Sequence, residues 1–306
     1  MDILTAKGVS KQFGNHQALN KINLNIPRGS IFGLLGPNGA GKTTFIRIVN
    51  QIISNDEGEI HINGERLAPR HIGAIGYLPE ERGLYKKMKV GEQLLYLARL
   101  KGVPKSQAIK KINDWLTKFD LRAWRNKNIE DLSKGMQQKI QFIATVIHNP
   151  GLIILDEPFS GFDPINANLI KDEILKIRDQ GSTIIFSTHR MESVEELCDH
   201  IALINRAEKI LDGPKSLIKD QFRTNTFEVE HKGDISLLSQ QDYSISNHVT
   251  LENGMEKTSV QIKNGNSPNQ LLSDLIALTE VHGFTEKVPS INDIFIMKVK
   301  EGSHHE

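Results

Sequence analysis

The segment that most constrains the fold is "GPNGAGKTT", Gly36 to Thr44, which directly follows the apolar run "SIFGLL". It fits the pattern G-x-x-x-x-G-K-[S/T], in which glycines let backbone N–H groups converge on phosphate oxygens. A helix that begins at such a loop points its positive dipole end at the same anion. The segment therefore predicts a strand, a phosphate-binding loop and a helix in that order. The alternative is a glycine-rich turn that matches the pattern by chance.

The side chains of this loop predict its ligands, a nucleoside triphosphate and Mg²⁺. Lys42 supplies a point charge for the β- and γ-phosphates, and we also expect it to act in catalysis. The Thr43 hydroxyl is placed to ligate Mg²⁺, and Thr44 adds a further phosphate contact. The predicted nucleotide-binding residues of the loop are Gly36, Pro37, Asn38, Gly39, Ala40, Gly41, Lys42, Thr43 and Thr44.

Two more polar groups follow apolar runs. In "LIILDEP", Asp156 stands at the carboxyl end of a predicted buried strand, where open α/β sheets place their ligands. We predict that Asp156 holds Mg²⁺ through water and that Glu157 is the general base for the attacking water. Without the phosphate loop, this Asp-Glu pair would be interpreted as a helix cap. His189, which ends "STIIFSTH", is predicted to contact the γ-phosphate and the attacking water, with a structural histidine as the alternative.

The order of elements predicts an α/β fold for about the first 220 residues. Short runs rich in Ile and Leu are typical of strands buried on both faces. These runs lie at 30–36, 151–157, 182–189 and 200–206. Helical periodicity at 90–100 and 105–119 predicts a helical subdomain at about 86–150.

After about residue 221 the chain becomes more polar. Alternating strand-like segments are separated by Asn-Gly turns, and 268–278 has the pattern of an amphipathic helix. These features predict a small α+β domain at 221–300, for which we expect a β-α-β-β-α-β order, and a tail at 301–306.

Composition excludes several classes of protein. Cys198 is the single cysteine among 306 residues, which excludes an internal disulfide framework and a cysteine-based metal site. The start "MDILTAKGVS" is not a secretory signal, and no run approaches the roughly 18 apolar residues that span a bilayer. The net charge of +1 gives no bulk attraction for nucleic acid, so no nucleic-acid partner is expected.

Over about residues 1–220 these motifs resemble the nucleotide-binding subunit of ABC transporters, a P-loop NTPase fold with a helical insert. "GPNGAGKTT" is similar to the Walker A element of the family, and "LIILDE" is similar to Walker B. Phe13, in "KQFGNHQAL", stands where the family places an aromatic ring that stacks on adenine. Ser160 and Asp163 of "SGFD" match the D-loop, and His189 matches the switch histidine.

The stretch "LSKGMQQK" resembles the signature motif of the family. The resemblance implies a head-to-tail dimer in which Ser133 and Gly135 face the γ-phosphate that the partner's Walker A binds. ATP then joins the two subunits and hydrolysis releases them. Lys134 and Met136 depart from the family pattern, and Gln137 lies one position further along.

A further departure lies in "GYLPEERGLY", where Glu80 occupies the position at which the family usually has Gln. The resemblance implies that Glu80 contacts Mg²⁺ or water. The alternative is a solvated acidic loop, since Glu81 and Arg82 follow. The residues of this segment and of the signature resemble those of ABC-2 type exporter ATPases, particularly the NatA- and YhaQ-like group. The segment "PSINDIFIMKV" at 289–299 resembles the C-terminal end of the same group.

This resemblance implies the ATP-binding and hydrolysing subunit of an ABC-2 type exporter, peripheral on the cytoplasmic face of the membrane. Its expected partners are a second copy or a paired ABC subunit and integral membrane permease subunits. The docking surface would include Leu84, Tyr85, Lys86 and Lys87, unless this basic run is an ordinary solvated face. Sodium, a drug, a peptide or a lipid is each compatible as cargo, because the membrane subunits select it.

Two other functions compete with the exporter. One is an importer ATPase whose C-terminal domain senses substrate, and the other is an ABC protein of translation or DNA repair. Translation members usually carry two cassettes, and repair members carry long coiled coils or zinc modules. This sequence has one cassette, one cysteine and no heptad run, which disfavours that class.

Overall fold

The computed structural model describes residues 1–81 and 83–301 and divides into two compact units. The first unit comprises Met1–Lys215 and the final segment from Lys298, and the second comprises Ser216–Met297. Arg82 and residues 302–306, which include most of the predicted tail, lie outside the described residues.

The first unit contains ten strands and seven α-helices among the described residues. The strands are β1 (Asp2–Phe13), β2 (His16–Pro27), β3 (Ile31–Leu35), β4 (Glu57–Ile62), β5 (Glu65–Arg66), β6 (Ile75–Leu78), β7 (Leu152–Asp156), β8 (Thr183–Ser187), β9 (His200–Asn205) and β10 (Glu208–Pro214). The helices are α1 (Lys42–Val49), α2 (Pro69–Ile72), α3 (Val90–Leu100), α4 (Lys105–Lys118), α5 (Lys134–Val146), α6 (Pro164–Asp179) and α7 (Met191–Leu197).

A six-stranded sheet in the order β10-β9-β3-β8-β7-β6 forms the centre of this unit. Its strands run parallel except β10, which pairs antiparallel with β9. Every residue of β3, β7 and β8 is buried, as their continuous apolar sequences predict. The α/β prediction is confirmed. Because β3 and β7 both flank β8 in parallel, the segments that follow them leave the same edge of the sheet.

A second, antiparallel sheet in the order β2-β1-β4-β5 covers one side of α1. This sheet was not predicted from the sequence. Phe45 and Val49 of α1 share one apolar core with Leu4 of the antiparallel sheet and with Leu34 and Ile154 of the parallel sheet. The helix that begins at the phosphate loop is therefore held between two sheets.

The insert between β6 and β7 is helical, as predicted. Helices α3 and α4 occupy the segments whose periodicity indicated them. Trp115 of α4 and Phe119, which directly follows α4, pack against Phe142 of α5, with ring centroids 6.1 Å apart in both pairs. Aromatic contacts of this kind fix the angle between the two helices. Helix α5 thereby gains a rigid support close to its centre.

The second unit is an antiparallel sheet in the order β12-β13-β11-β14. Its elements, with the helices that lead into and out of it, are α8 (Lys215–Gln221), β11 (Thr226–Lys232), β12 (Tyr243–Thr250), β13 (Glu256–Ile262), α9 (Pro268–Leu278), β14 (Glu280–Glu286) and α10 (Ile291–Glu301). Leu271 and Leu275 of α9 are fully buried in its core. The helix predicted at 268–278 is confirmed.

The β-α-β-β-α-β order expected for this unit is wrong, because β11, β12 and β13 follow one another with no helix between them. The connection from β11 to β12 is a pair of short turns. Asp234 accepts hydrogen bonds from the backbone N–H and hydroxyl of Ser236, and Asp242 accepts one from the Ser239 hydroxyl. These local bonds place the side chains of Ile235 and Leu238 in the core without a helical turn.

None of the helices in residues 1–81 and 83–301 combines the length and the apolar character that crossing a bilayer requires.

The close approach of β6 to α5 makes Gly76 a test of this packing. A Cβ at Gly76 would lie 2.5 Å from the backbone oxygen of Thr145 and 2.9 Å from Pro150 Cγ. We expect Gly76→Ala to destabilise the first unit by about 1–3 kcal/mol, since neither backbone can move away without disturbing the core. Chemical denaturation followed by tryptophan fluorescence measures this. Gly151→Ala is the control, because its Cβ would meet nothing within 4 Å, and equal midpoints for the two variants would contradict the packing.

Candidate functional site

The loop between β3 and α1 packs closely against neighbouring backbone. Gly36 has φ +151, and a Cβ there would lie 2.1 Å from the carbonyl oxygen of Ile204 in β9. Gly41 has φ +115, and its Cβ would lie 2.4 Å from the carbonyl oxygen of Ala18 in β2. Both positions therefore require glycine for space as well as for conformation. The two sheets clamp the loop at its start and at its end.

Lys42 begins α1 and is 8% exposed. Its Nζ donates hydrogen bonds to the carbonyl oxygens of Gly36 at 2.6 Å and Pro37 at 3.0 Å. Burial lowers the pKa of Lys42, while the negative charges of Glu157, Asp156 and Glu80 act to raise it. The fold thus brings residues that are far apart in sequence into one electrostatic field.

Asp156 is the last residue of β7 and is 3% exposed. Burial raises its pKa, the carboxylates of Glu80 and Glu157 raise it further, and Lys42 opposes them. Three carboxylates around one ammonium group leave an excess of negative charge. Hard divalent cations prefer oxygen ligands of this kind. Asp156, Glu80 and the half-buried hydroxyl of Thr43 therefore fit Mg²⁺ chemically.

Glu157 follows directly and has a left-handed backbone with φ +49, an uncommon conformation for a residue with a Cβ. Its N–H donates to the carbonyl oxygen of Ser187 at 2.9 Å. Its Oε1 accepts from the His189 N–H at 2.9 Å and lies 2.7 Å from His189 Nδ1. Its Oε2 accepts from the Thr188 hydroxyl at 3.1 Å. The segment after β8 therefore fixes both carboxylate oxygens.

This geometry adds one residue that the sequence analysis missed and refines another. Thr188 was not identified, although its place between a buried strand and His189 in "FSTHR" was the available signal. His189 was predicted to contact phosphate and water, and here it contacts Glu157 directly. Its side chain is 63% exposed, against 11% for Glu157. The histidine is therefore accessible while the carboxylate is held beneath it.

Hydrogen bonds between residues close in sequence stabilise the start of α5. Ser133 is the N-cap, and its hydroxyl accepts from the Met136 N–H at 3.3 Å. The Gln137 side chain donates to the carbonyl oxygens of Ile129 at 3.1 Å and Leu132 at 2.9 Å. Gln137 thus fixes the turn that leads into the helix.

Helix α5 begins beside the "SGFD" segment of the same chain. The Gln138 amide donates to the carbonyl oxygen of Ser160. A Cβ at Gly161 would lie 2.7 Å from Lys134 Cε, and a Cβ at Gly135 would lie 3.9 Å from Phe162. The two predicted motifs therefore form one continuous surface.

Asp163 ends that segment as the N-cap of α6. It accepts from the Asn166 N–H at 3.0 Å, and this hydrogen bond is the main cause of its lowered pKa. The sequence predicted a D-loop role for Asp163 but not this cap. Helix α6 therefore begins where the predicted D-loop ends.

Glu80 and Phe13 are the remaining predicted residues. Glu80 follows β6 and lines a cavity together with Gln138, Glu157 and Phe162. Gln141 of α5 donates to the carbonyl oxygen of Pro79 at 3.3 Å, which ties this loop to α5. Phe13, at the end of β1, is 47% exposed, and the Lys11 ammonium lies 5.4 Å from its ring centroid. The ring is accessible for stacking on a planar group.

Comparison with known proteins finds two family matches. Residues 19–160 match the family described as "ABC transporter". Residues 213–299 match the "ATP-binding protein DrrA1-3-like, C-terminal domain" family. The first match contains the phosphate loop, the Walker B strand and the signature segment.

Individual proteins agree with these matches. The chain is 41% identical over 297 residues, 97% of its length, to the uncharacterized ABC transporter ATP-binding protein YhaQ of Bacillus subtilis (strain 168), of which 98% is covered. It is 34% identical over 217 residues to the linearmycin resistance ATP-binding protein LnrL of the same organism, covering 70% of each chain. A solved ATP-binding subunit of an ABC transporter superposes with a TM-score of 0.68 at 28% identity, covering 72% of this chain and 93% of that one.

The buried ammonium of Lys42 gives a direct test of nucleotide binding. We expect Lys42→Ala to weaken ATP binding about 10- to 100-fold, because a hydrogen bond to a charged group is worth about 1.5–3 kcal/mol. Titration with a fluorescent ATP analogue measures the affinity. Lys232→Ala, in the second unit, is a control with the same change of charge. Full affinity in Lys42→Ala would contradict the assignment of the phosphate loop.

Proposed function

Because the chain belongs to the family of ABC transporter ATP-binding proteins, we propose that its phosphate loop, acidic strand end and α5 start act on ATP at the interface of two such subunits. The chain is an ATPase subunit of a membrane transporter, and over nearly its whole length it is related to YhaQ, an ABC transporter ATP-binding protein. The resemblance recognised from the sequence is thereby confirmed. The observation that carries the proposed mechanism is the network of Lys42, Asp156, Glu157 and His189 at one edge of the sheet.

Binding of ATP begins at the loop of β3 and α1. The backbone N–H groups of residues 38–44 and the Lys42 ammonium are the groups that hold the β- and γ-phosphates. Thr43, Asp156 and Glu80 would hold Mg²⁺, which neutralises developing charge on the phosphates when bound. Phe13 supports the adenine ring from the end of β1.

Hydrolysis uses Glu157 as the general base. Its carboxylate takes a proton from a water molecule, whose oxygen bonds to the γ-phosphorus as the bond to the β–γ bridging oxygen breaks, and the proton then passes to the released phosphate. ADP and phosphate are the products. Thr188 and the N–H of His189 hold the carboxylate in one orientation, so its lone pairs face a fixed direction. The exposed imidazole of His189 contacts the γ-phosphate, and this contact ends when the γ-phosphate is released.

The partner subunit completes the site. A helix start carries unpaired N–H groups and a favourable dipole, and α5 adds the hydroxyl of Ser133 and the backbone of Gly135. Lys134 adds a positive charge at the same helix start. In a head-to-tail dimer these groups face the γ-phosphate of the partner's ATP. The neighbouring Ser160 and Asp163 lie on the same surface, so they would contact the partner as well.

The membrane subunits act on α5 through a short chain of hydrogen bonds. The Glu130 N–H donates to the carbonyl oxygen of Lys86, and the Ile129 N–H donates to that of Met88. The Ile129 carbonyl in turn accepts from Gln137 in the signature segment. Movement of the loop at 84–87 is thus transmitted to the α5 start.

Tyr85 is the exposed apolar group of that loop. It is 55% exposed, and its ring lies 6.2 Å from that of Tyr96 in an edge-on contact. We assign this surface to permease docking, which places the subunit at the inner face of the membrane. LnrL is named a linearmycin resistance ATP-binding protein, and similarity to a resistance protein favours outward transport here.

The importer alternative receives no support from the C-terminal unit. Residues 213–299 match the DrrA-like C-terminal domain, and YhaQ aligns through this region. The translation and repair alternative is also disfavoured, since the family matched over residues 19–160 is that of transporters.

Glu157→Gln tests the general base and the shared site together. We expect the variant to bind ATP but to form a stable ATP-bound dimer, because the amide cannot accept a proton from water. Light scattering after size-exclusion chromatography, with and without ATP, measures the dimer, and phosphate release measures turnover. Glu252→Gln, at an exposed position, is the matched control. Turnover at the parental rate in Glu157→Gln would exclude Glu157 as the base.

Thr188→Val tests positioning of the base. Loss of the hydroxyl bond to Glu157 should lower kcat about 10- to 100-fold, the equivalent of a hydrogen bond to a charged group, and leave ATP affinity unchanged. Thr188→Ser should restore kcat because it keeps the donor. Equal kcat for the Val and Ser variants would show that the bond does not position Glu157.

A further inference from the structure

We propose that the second unit contains a binding site for a divalent transition-metal ion, Zn²⁺ above all, formed by His231, His248 and Glu256. The ligand atoms of these three side chains all lie within 4.8 Å of one another. His231 Nδ1 is 3.8 Å from Glu256 Oε2, and His248 Nε2 is 3.6 Å from Glu256 Oε1. The site is independent of the nucleotide site and does not rest on the proposed function.

Three neighbouring strands supply the ligands. His231 belongs to β11 and is opposite Glu256 of β13, and Val229 is opposite Thr258. Residues that face each other across a ladder share a face of the sheet, and every second residue along a strand returns to that face. His231, Glu256 and Thr258 therefore lie on the face that carries the apolar core.

A β-bulge in β12 brings the third ligand to this face. Ile245 is opposite Val260 and Thr250 is opposite Glu256, so β12 contains one more residue than β13 over this stretch. Asn247 within it has a left-handed backbone with φ +48. The extra residue moves His248 to the face of Thr250 and Glu256, whereas regular pairing would direct it to the opposite face.

Thr258 orients both imidazoles. It is fully buried, and its Oγ1 lies 3.0 Å from His231 Nε2 and 2.9 Å from His248 Nδ1. These are the nitrogens that do not face Glu256. In the metal-bound form each of them carries a proton and donates to one lone pair of the hydroxyl oxygen. Metal-binding histidines in proteins are held in this way by an acceptor on the second nitrogen.

His231 changes tautomer when it binds metal. In the metal-free form its Nδ1 lies 2.9 Å from the carbonyl oxygen of Gly233, which can only accept, so the proton is on Nδ1. Coordination through Nδ1 moves this proton to Nε2, where Thr258 accepts it. The ring stays neutral, and the hydrogen bond to Gly233 is exchanged for a bond to the metal.

The ligand set and the exposure of the site define the class of ion. Two imidazoles and one carboxylate are a known ligand set for Zn²⁺, with a fourth position for water. Ligand atoms about 2.1 Å from a tetrahedral ion are about 3.4 Å apart, and each histidine lies near this distance from a different oxygen of the Glu256 carboxylate, 3.8 Å for His231 and 3.6 Å for His248. The side chains of His231, His248 and Glu256 are 0%, 52% and 33% exposed. The ion can therefore reach the site from solvent on the side of His248 and Glu256, and it also binds the buried side chain of His231.

Zinc binding to the untagged full chain tests the proposal. The protein is stripped with a chelator, and Zn²⁺ is titrated in competition with a chromogenic zinc indicator. We expect a single ion per chain and a higher melting temperature on loading. His248→Ala and Glu256→Gln should each weaken binding at least about tenfold, with circular dichroism as the check that both fold.

Variants of Thr258 and of histidines outside the site test whether zinc binding depends on the three proposed ligands. Thr258→Val should weaken binding about 10- to 100-fold, while Thr258→Ser should keep it. His282→Ala is the matched control, because His282 has one carboxylate partner, Glu280 at 3.5 Å, in the same sheet. Replacement of the two terminal histidines, His304 and His305, by Ala controls for binding at the end of the chain. The absence of stoichiometric binding, or binding that His248→Ala leaves unchanged, would overturn the site.

Discussion

The structure depends on the enclosure of Lys42 where β3 ends and α1 begins. An ammonium group with this little exposure is stabilised by the carbonyl oxygens of Gly36 and Pro37 and by the carboxylates at the neighbouring strand ends. The same burial raises the pKa of Asp156. Positive and negative groups thus lie together at one edge of a parallel sheet, and the excess of negative charge is the basis for the proposed Mg²⁺ site.

The rigidity of this edge comes from close backbone packing. Gly36 lies against β9 and Gly41 against β2, so both sheets constrain the phosphate loop. Glu157 is held in its left-handed conformation by bonds to the segment after β8. An uncommon backbone conformation at a functional carboxylate is sustained when the surrounding structure provides several such bonds. The carboxylate proposed as the general base is therefore already held in one orientation.

The proposed metal site illustrates a different use of strand geometry. One extra residue in β12 is enough to turn His248 toward His231 and Glu256. The effect is local, but it decides which side chains can share an ion. The C-terminal unit would then bind a ligand of its own, so the ATPase subunit would bind a metal ion in addition to ATP.

The sequence by itself determined the phosphate loop, the acidic strand end, the helices of the insert and the family, because each has a local pattern of residue type and spacing. It failed where geometry depends on distant segments. The antiparallel sheet over α1 was missed, and the β-α-β-β-α-β order was wrong because short turns replaced a helix. The contact of Thr188 with Glu157 and the grouping of His231, His248 and Glu256 were decided by the tertiary structure alone. Strand order, register and a bulge bring these residues together from separate segments of the chain.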